Sequence, residues 1–159
     1  MSPATPRTCS VARTLDVVGE KWSLLVLREV FLGVHRFDEI ARNTGAPRDV
    51  LAARLKTLVD AGVLRRVPYS EHPPRAEYHA TDSGRDLRPV ILVLMAWGDR
   101  YLAGEDGPPL TLQHSCGEAF HAEVVCAACH QPVRRSQLSP PWSGPDHPET
   151  TGAADASTI

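Results

Sequence analysis

The chain has 159 residues, 42% of them hydrophobic, and a formal net charge of −2. This composition supports a packed core and excludes a chain that is disordered throughout. No run approaches the roughly 18 apolar residues of a membrane helix, and the N-terminal residues lack the apolar stretch of a signal peptide. The expected protein therefore has no membrane partner, and its expected compartment is the cytoplasm.

Charge is distributed unevenly along the chain. Residues 1–88 carry 14 Lys and Arg against 11 Asp and Glu, a net charge of +3, whereas residues 89–159 carry 3 against 8, a net charge of −5. Six basic and only two acidic residues fall between Arg42 and Arg66. Because local charge sets the field that meets a phosphate backbone, this stretch is a candidate DNA-binding surface. The alternative is an ordinary solvated basic face.

The first part of the chain predicts two helices. Apolar residues spaced three and four apart between residues 11 and 18 indicate a short helix that ends at Gly19. Residues 21–31 are apolar on almost every side, which is typical of a helix at the centre of a core. Gly33 follows where a left-handed residue commonly ends a helix.

A helix-turn-helix unit is predicted next. Apolar residues between positions 37 and 41 indicate a helix of about two turns, and Asn43-Thr44-Gly45 is typical of a turn. Pro47 suits the first residue of a second helix, because its missing N–H is not needed there. Apolar residues spaced along one side predict that this second helix continues to Ala61. Two helices joined by so short a turn present the second one outward, where it can enter a major groove.

After this unit the periodicity changes to that of strands. Residues 63–67 and 75–80 predict two short strands, and the turn formers of residues 68–74 predict a proline-rich connection between them. Thr81 can cap the helix that follows, which is predicted over residues 82–102. This helix is apolar beyond one face, so part of it is expected to meet another chain. Its predicted seam comprises Leu87, Ile91, Leu94, Gly98 and Tyr101.

The order of helix, turn, helix and hairpin gives one set of residues a candidate DNA-binding role. Arg48, in the first turn of the reading helix 47–61, can reach a base edge or a phosphate, and Arg54 and Lys56 are expected to contact phosphates. Side chains that flank the hairpin tip are expected to reach the sugar–phosphate backbone or a minor groove. The predicted DNA-binding residues are Arg36, Pro47, Arg48, Asp49, Ala52, Ala53, Arg54, Lys56, Tyr69 and Arg75.

Asp49 is an unusual residue on a surface that faces DNA. Its carboxylate can accept a hydrogen bond from a cytosine N4 amine, order the side chain of Arg48, or favour the positive end of the helix dipole. The last of these is the preferred interpretation.

The C-terminal part of the sequence differs in composition. Residues 104–110 are rich in Gly, Pro and acidic residues and indicate a linker, and residues 111–138 form a Cys/His-rich segment. Residues 139–159 contain almost no core-forming residues and predict a disordered tail.

The Cys/His segment has the ligand spacing of a small zinc ribbon. Its Cys-x-x-Cys turn can direct two thiolates at one ion, and the preceding His-x-Cys-Gly can supply two more ligands. The expected ligands of a structural Zn²⁺ are His114, Cys116, Cys126 and Cys129. His121 and His130 are alternative fourth ligands. The other interpretations are a regulatory dithiol and plain reduced cysteines. A structural disulfide is not expected, because disulfides are rare in the cytoplasm.

Several short motifs follow one another in a fixed order along residues 9–102. They are Cys9-Ser10-Val11, Gly19-Glu20-Lys21-Trp22, Arg36-Phe37-Asp38-Glu39-Ile40, Val50-Leu51-Ala52-Ala53-Arg54-Leu55, Ala61-Gly62-Val63-Leu64, Glu77-Tyr78, Thr81-x-x-Gly84-Arg85-x-Leu87 and Trp97-Gly98. This set resembles the HxlR-type, MarR-like branch of the winged helix-turn-helix transcriptional regulators.

The resemblance implies a mainly α fold with a small β-hairpin, in which a winged helix-turn-helix domain occupies residues 1–103. The Cys/His segment predicts a zinc-ribbon-like appendage to this domain. The resemblance also implies a homodimer joined through the N-terminal helix and helix 82–102. Such a dimer binds double-stranded DNA at an inverted repeat near a promoter and is expected to act as a repressor. Response to a small-molecule inducer or a reactive electrophile is a further implication.

Cys9 is the candidate redox sensor. In the family that the sequence resembles, a cysteine near the start of the first helix can act as a redox or electrophile sensor, and a helix N-terminus favours a thiolate. The family usually has proline after this cysteine, whereas this chain has Ser10. The alternative is a half-buried cysteine that packs beside the dimer helices.

Two other classes of function compete with a regulator. One is a Cys/His enzyme in which Cys129 would be the nucleophile and His121 or His130 the base. The other is a zinc-dependent interaction protein without specific DNA binding. The short chain and the lack of a glycine-rich cradle argue against an enzyme, so we do not expect catalysis.

Overall fold

The computed structural model describes residues 9–133. In chain order these residues form the helices α1 Ser10–Val18, α2 Lys21–Phe31, α3 Phe37–Thr44 and α4 Arg48–Asp60, the strands β1 Leu64–Glu71 and β2 Pro74–Ala80, and the helices α5 Asp82–Arg85 and α6 Arg88–Tyr101. The described part is therefore mainly helical with one antiparallel hairpin, as predicted. None of these helices is long and apolar enough to cross a membrane.

The chain divides into two compact units, and the boundary between them falls between Ala122 and Glu123, inside the predicted Cys/His segment 111–138. Residues 104–110 form neither helix nor strand. The predicted tail, residues 139–159, lies outside the described residues.

The central position of α2 follows from its sequence, as predicted. Apolar residues on most sides let it pack against α1, α3, α4, α6 and β2. The buried apolar side chains around it are Val18, Val26, Leu27, Val30, Ile40, Ala46, Leu51, Leu55, Leu58, Val63, Leu64 and Ile91. Burial of each large aliphatic side chain stabilises the fold by about 1.5–3 kcal/mol, so this cluster fixes the positions of the helices.

The helix-turn-helix consists of α3 and α4. The predicted turn at residues 43–45 begins later than expected, because α3 continues to Thr44 and ends at Gly45, whose φ is +71°. Two hydrogen bonds close this last turn, from Thr44 Oγ1 to the Ile40 carbonyl (2.7 Å) and from the Gly45 N–H to the Ala41 carbonyl (2.9 Å). The second helix agrees with its prediction to within one residue at each end, with Pro47 as its N-cap.

The hairpin formed by β1 and β2 is longer than the sequence predicts. The expected proline-rich loop 68–74 is wrong, because β1 continues to Glu71, β2 begins at Pro74, and only two residues turn the chain. Pro68 lies opposite Ala76, and a bulge follows it at Tyr69. A proline without a backbone N–H is tolerated in an edge strand and near a bulge, which explains why the strand does not stop there.

A short third segment joins the hairpin. Arg36 pairs with Glu77 in an isolated antiparallel bridge, and the Tyr78 N–H donates to the His35 carbonyl at 2.9 Å. The residues just before α3 are thereby hydrogen-bonded to β2. The hairpin is consequently tied to the helix-turn-helix by backbone contacts as well as by the core.

The predicted continuous helix 82–102 is two helices, α5 and α6, separated at Asp86 and Leu87. Pro89 accounts for the break, because a proline has no N–H to donate and is accommodated only in the first turn of a helix. Thr81 caps α5 as predicted, with its Oγ1 accepting from the Gly84 N–H at 3.2 Å.

Much of the apolar surface of α1 and α6 is exposed. Of the predicted seam, Ile91 is buried and Leu87 is partly buried, but Leu94 and Tyr101 are exposed, and Met95 packs on the core instead. The exposed large apolar residues of these helices and of the residue after α6 are Val11, Leu15, Val90, Val93, Leu94, Trp97, Tyr101 and Leu102. The domain therefore leaves part of α6 uncovered, as its composition predicts.

Candidate nucleic-acid interface

Helix α4 has one side in the core and one side in solvent. Leu51, Leu55 and Leu58 are fully buried and anchor it. The predicted DNA-binding residues of this helix and its N-cap lie on the other side, and all are exposed except Arg54, which is partly exposed: Pro47, Arg48, Asp49, Ala52, Ala53, Arg54 and Lys56. The small side chains of the two alanines leave the helix backbone close to the surface. This side of α4 is therefore free to approach a groove.

Arg48 is held in place by two contacts to α3. Its Nη2 atom lies 2.8 Å from Oδ1 of Asp38, and its Cζ atom lies 4.8 Å from the centre of the Phe37 ring. The guanidinium is exposed, yet its position is restricted by both the carboxylate and the ring. An arginine so arranged at the start of the second helix is suited to contact a base edge or a phosphate.

One of the three interpretations of Asp49 is not supported by the structure. Arg48 forms its ion pair with Asp38, so Asp49 does not order the Arg48 side chain. Asp49 lies in the first turn of α4, where a negative charge is favoured by the helix dipole.

Lys56 also has an acidic partner. Its Nζ atom forms an exposed ion pair with Asp60, one turn later in the same helix. Exposed pairs of this kind are weak and are readily exchanged for another anion. Lys56 therefore remains available to a phosphate.

The base of the hairpin contains a second arginine arrangement. Nε of Arg36 lies 3.2 Å from Oε1 of Glu77, and its Cζ lies 5.0 Å from the centre of the Tyr69 ring. The hydrogen bond to Glu77 raises the pKa of Arg36. Hydrogen bonds from Arg36, and then from His79, lower the pKa of Glu77. Arg75 is exposed on β2 and pairs in register with Ser70.

Two histidines beside this arrangement are not among the predicted site residues. The rings of His35 and His79 lie 4.1 Å apart between centroids, and His79 Nε2 lies 3.2 Å from Oε2 of Glu77. His35 Nδ1 lies 3.0 Å from the Tyr78 carbonyl. No local pattern could reveal the histidine pair, because its members come from segments that only the tertiary fold brings together.

A buried carboxylate fixes α3 to α2. Glu29 is 4% exposed; its Oε1 accepts two hydrogen bonds from Arg28, and its Oε2 accepts one from Nδ2 of Asn43 at 2.8 Å. A buried charge is retained at acceptable cost only where it has such partners. The orientation of the helix-turn-helix therefore depends on a polar contact that lies in a stretch the sequence marks as apolar.

The Thr81-x-x-Gly84 motif locks the start of the hairpin. Thr81 Oγ1 lies within hydrogen-bond distance of the carbonyls of Gly62 (2.6 Å) and Val63 (3.0 Å). Gly84 is buried so close to β1 that a Cβ placed on it would lie 2.1 Å from the Val63 carbonyl oxygen. Only glycine fits this approach, which sets the position of the hairpin relative to α4.

The candidate metal ligands form two local turns, one in each unit. In the first unit His114 Nδ1 lies 3.2 Å from Cys116 Sγ, and the His114 N–H donates to the Glu118 carbonyl. His121 is exposed further along. Among the residues that the structure describes, no three His, Cys, Asp or Glu side chains are grouped so that they could hold a metal ion.

The second unit contains the Cys-x-x-Cys turn. Backbone N–H groups of Cys129 and then Ala128 lower the pKa of the Cys126 thiol. The His130 N–H donates to the Cys126 carbonyl at 2.8 Å, and His130 itself has a φ of +56°. N–H groups directed at a sulfur favour its thiolate form, which is the form that binds metals.

Cys9 lies where the resemblance places it, at the N-cap of α1. It is exposed, and so are the other three cysteines, all of which are free thiols.

A helix-turn-helix whose second helix turns an open basic side to solvent, next to a tethered β-hairpin, is a winged helix-turn-helix, which is a DNA-binding class. The chain belongs to the HxlR-like helix-turn-helix family, whose model matches residues 17–106. It is accordingly an HTH-type transcriptional regulator that acts through DNA, and the family resemblance stated from the motifs is confirmed.

Similar proteins extend the comparison. The uncharacterized HTH-type transcriptional regulator Rv3095 of Mycobacterium tuberculosis (strain ATCC 25618 / H37Rv) is 48% identical over 132 residues, which are 82% of this chain and 84% of the relative. The solved structure of PA1607, described as a candidate transcription factor, superposes with a TM-score of 0.74 at 34% identity, over 83% of this chain and 93% of that one. The redox regulator HypR in its reduced form superposes with a TM-score of 0.53 at 32% identity, over 58% and 92%.

Proposed function

We propose that the chain acts as a homodimeric repressor that binds an inverted-repeat operator through α4 of each copy. The observation that carries this proposal is the set of large apolar side chains that α1 and α6 each leave in water, among which Leu15 is 54% exposed and Leu94 is 50% exposed. Groups of exposed large apolar side chains are typical of protein–protein contacts. A two-fold dimer would place the two reading helices about one DNA turn apart, roughly 34–36 Å, on a pseudo-palindrome.

A mobility-shift titration with the DNA upstream of the gene tests the proposal. Arg48→Ala is expected to weaken specific binding by about 5- to 150-fold, the range for one base-contacting arginine. Lys56→Ala is expected to weaken all sequences about equally and to lower the salt slope by about 1. Lys21→Ala, at the exposed start of α2, is the matched charge control. If neither variant alters binding relative to this control, α4 is not the reading helix.

Salt dependence also separates the regulator from the two competing functions. A zinc-dependent interaction protein or a Cys/His enzyme would have no specific, salt-sensitive affinity for the operator. The dimer is tested by sedimentation of the wild type and Leu94→Glu, which is expected to dissociate it. A monomeric wild type at micromolar concentration would contradict the dimer.

We further propose that Cys9 makes DNA binding responsive to oxidants or electrophiles. Its exposure at a helix N-cap supports this, as does the printed description of HypR as a redox regulator. Diamide is expected to change the operator affinity of the wild type but not that of Cys9→Ser. An equal response of both proteins would contradict a role for Cys9.

A third proposal is that the Cys/His segment binds a structural Zn²⁺ through His114, Cys116, Cys126 and Cys129. The donor set is one that zinc prefers, and the lowered pKa of Cys126 supports a thiolate ligand. Elemental analysis is expected to find about one zinc per chain, lost in Cys126→Ser and retained in the control Cys9→Ser. Equal zinc contents in the two variants would contradict the ligand assignment.

A further inference from the structure

A pocket in the first unit lies between the second half of α6 and residues 108–122. Its volume is about 620 Å³. It opens on the surface beside the aromatic residues Trp97 and Tyr101, and Phe120 and Leu110 line its other side. This size lies within the range of small-molecule sites, about 300–1,000 Å³. The pocket is separate from the exposed side of α4.

The walls of the pocket are largely apolar and aromatic. The ring centroids of Trp97 and Tyr101 lie 5.5 Å apart and the planes are inclined by 45°, so the two rings form an angled wall. Tyr101 is 61% exposed and Leu110 is 42% exposed. Large rings left open on a concave surface favour a flat apolar ligand that stacks against them.

Four polar side chains stand among these apolar walls. Arg100 presents one positive charge and Asp99 presents one negative charge, and Thr111 and His121 offer hydrogen-bonding groups. Neither of the two charged side chains takes part in an ion pair within residues 9–133. The Cζ atom of Arg100 lies 5.3 Å from the centre of the Tyr101 ring, so its guanidinium is already placed beside the aromatic wall. An arginine in this position is suited to bind a carboxylate.

We propose that this pocket binds a small aromatic carboxylate, with its ring against Trp97 and Tyr101 and its acidic group on Arg100. The guanidinium of Arg100, which lies beside the Tyr101 ring, favours an acid over a neutral ligand. A second copy of the chain is the competing occupant, because α6 also carries the proposed dimer surface. The concave shape and the unpaired Arg100 favour the small molecule.

Isothermal titration calorimetry with 1-naphthoate tests the site directly, with 1-naphthalenemethanol as the neutral comparison. The wild type is expected to bind the acid more tightly than the alcohol. Arg100→Gln is expected to weaken the acid by about tenfold and to leave the alcohol unchanged. Absence of acid binding by the folded wild type up to millimolar concentration would overturn the proposal.

Two further variants locate the site. Ala96→Trp places a large side chain in the pocket and is expected to abolish binding of both compounds, whereas Leu32→Ala, an exposed residue outside the pocket, is expected to leave it unchanged. Circular dichroism establishes that each variant is folded. If a folded Ala96→Trp binds the acid as well as the wild type, the ligand sits elsewhere and the proposal fails.

The competing possibility, that a second copy of the chain occupies the pocket, is tested in the same titrations. They are repeated at protein concentrations below and above the midpoint of dimerisation. Affinity that is independent of dimerisation supports the small molecule. If the affinity for the acid falls as the dimer forms, the partner chain covers the pocket, and the small-molecule proposal is overturned.

A role of this pocket as the inducer site rests on the proposed function. A change in operator affinity on adding 1-naphthoate would connect the two. The outcomes are distinguishable, because operator binding without acid binding refutes only the pocket, and acid binding without operator binding refutes only the proposed function.

Discussion

The contact between Gly84 and Val63, the residue just before β1, makes a sharp prediction for the variant Gly84→Ala. The glycine lies in α5, and its Cα faces the Val63 carbonyl. An added Cβ would lie 2.1 Å from that oxygen, far inside van der Waals contact. The nearest atoms are backbone atoms and cannot rotate away as a side chain would, so α5 or β1 must move.

The size of the effect follows from what that movement disrupts. Overpacking of a well-packed site costs about 1–3 kcal/mol. The Val63 carbonyl also accepts the Thr81 N–H at 3.1 Å and lies 3.0 Å from Thr81 Oγ1, and each hydrogen bond is worth about 0.5–1.5 kcal/mol. Alanine favours the helix more than glycine does, and this offsets about 1 kcal/mol of the loss. We therefore expect a loss of about 1–5 kcal/mol in the free energy of unfolding.

Urea denaturation followed by circular dichroism at 222 nm measures this free energy. Gly98→Ala is the matched control, because a Cβ on Gly98 meets nothing within 4 Å, and about 1 kcal/mol of stabilisation is expected there. If both variants are equally stable, the close approach of α5 to β1 is not what determines the glycine, and the reasoning is refuted.

Three other predictions concern charged contacts. Asn43→Ala removes a hydrogen-bond donor from the buried carboxylate of Glu29 and is expected to cost about 1–3 kcal/mol in urea denaturation; an unchanged midpoint would contradict this. Glu77→Gln should lower stability above the ordinary glutamate pKa, about 4.3, and the difference from wild type should vanish as the pH falls through the lowered pKa of Glu77; a difference that grows on acidification would have the wrong sign. Asp38→Asn frees Arg48 and removes a negative charge from the surface, so its affinity for non-specific DNA in fluorescence anisotropy should rise; weaker binding would contradict the assignment of this surface.

The sequence predicts the helical part of this fold well, because periodicity over ten or more residues records which side is buried. It fails where a single proline has two possible roles. The prolines around the hairpin suggest a loop, yet an edge strand accommodates Pro68, whereas Pro89 divides a helix that hydrophobicity alone makes continuous. Distinguishing these cases requires the neighbouring strand or helix, which a local pattern does not contain.

The candidate site divides in a similar way. Exposure of one side of α4 follows from the stripe of buried leucines on the other, so the residues of this helix that face solvent could be predicted. Their partners could not, because Asp38 and Glu77 lie 10 and 41 positions from the arginines that they bind. Glu29 was equally unpredictable, since a charged residue in an apolar helix becomes intelligible only when Asn43 is seen to approach it.

The acidic partners moderate the basic surface that this chain, with its net charge of −2, presents on α4. A guanidinium held between Asp38 and Phe37 has lost part of its rotamer freedom before DNA arrives, so less entropy is lost on binding. The same carboxylate screens it from any phosphate that approaches in the wrong position. Because an exposed ion pair contributes only about 0–1 kcal/mol, a correctly placed base edge or phosphate can replace Asp38 at little cost. We therefore expect Arg48 to favour specific over non-specific contacts, which the Asp38→Asn variant tests.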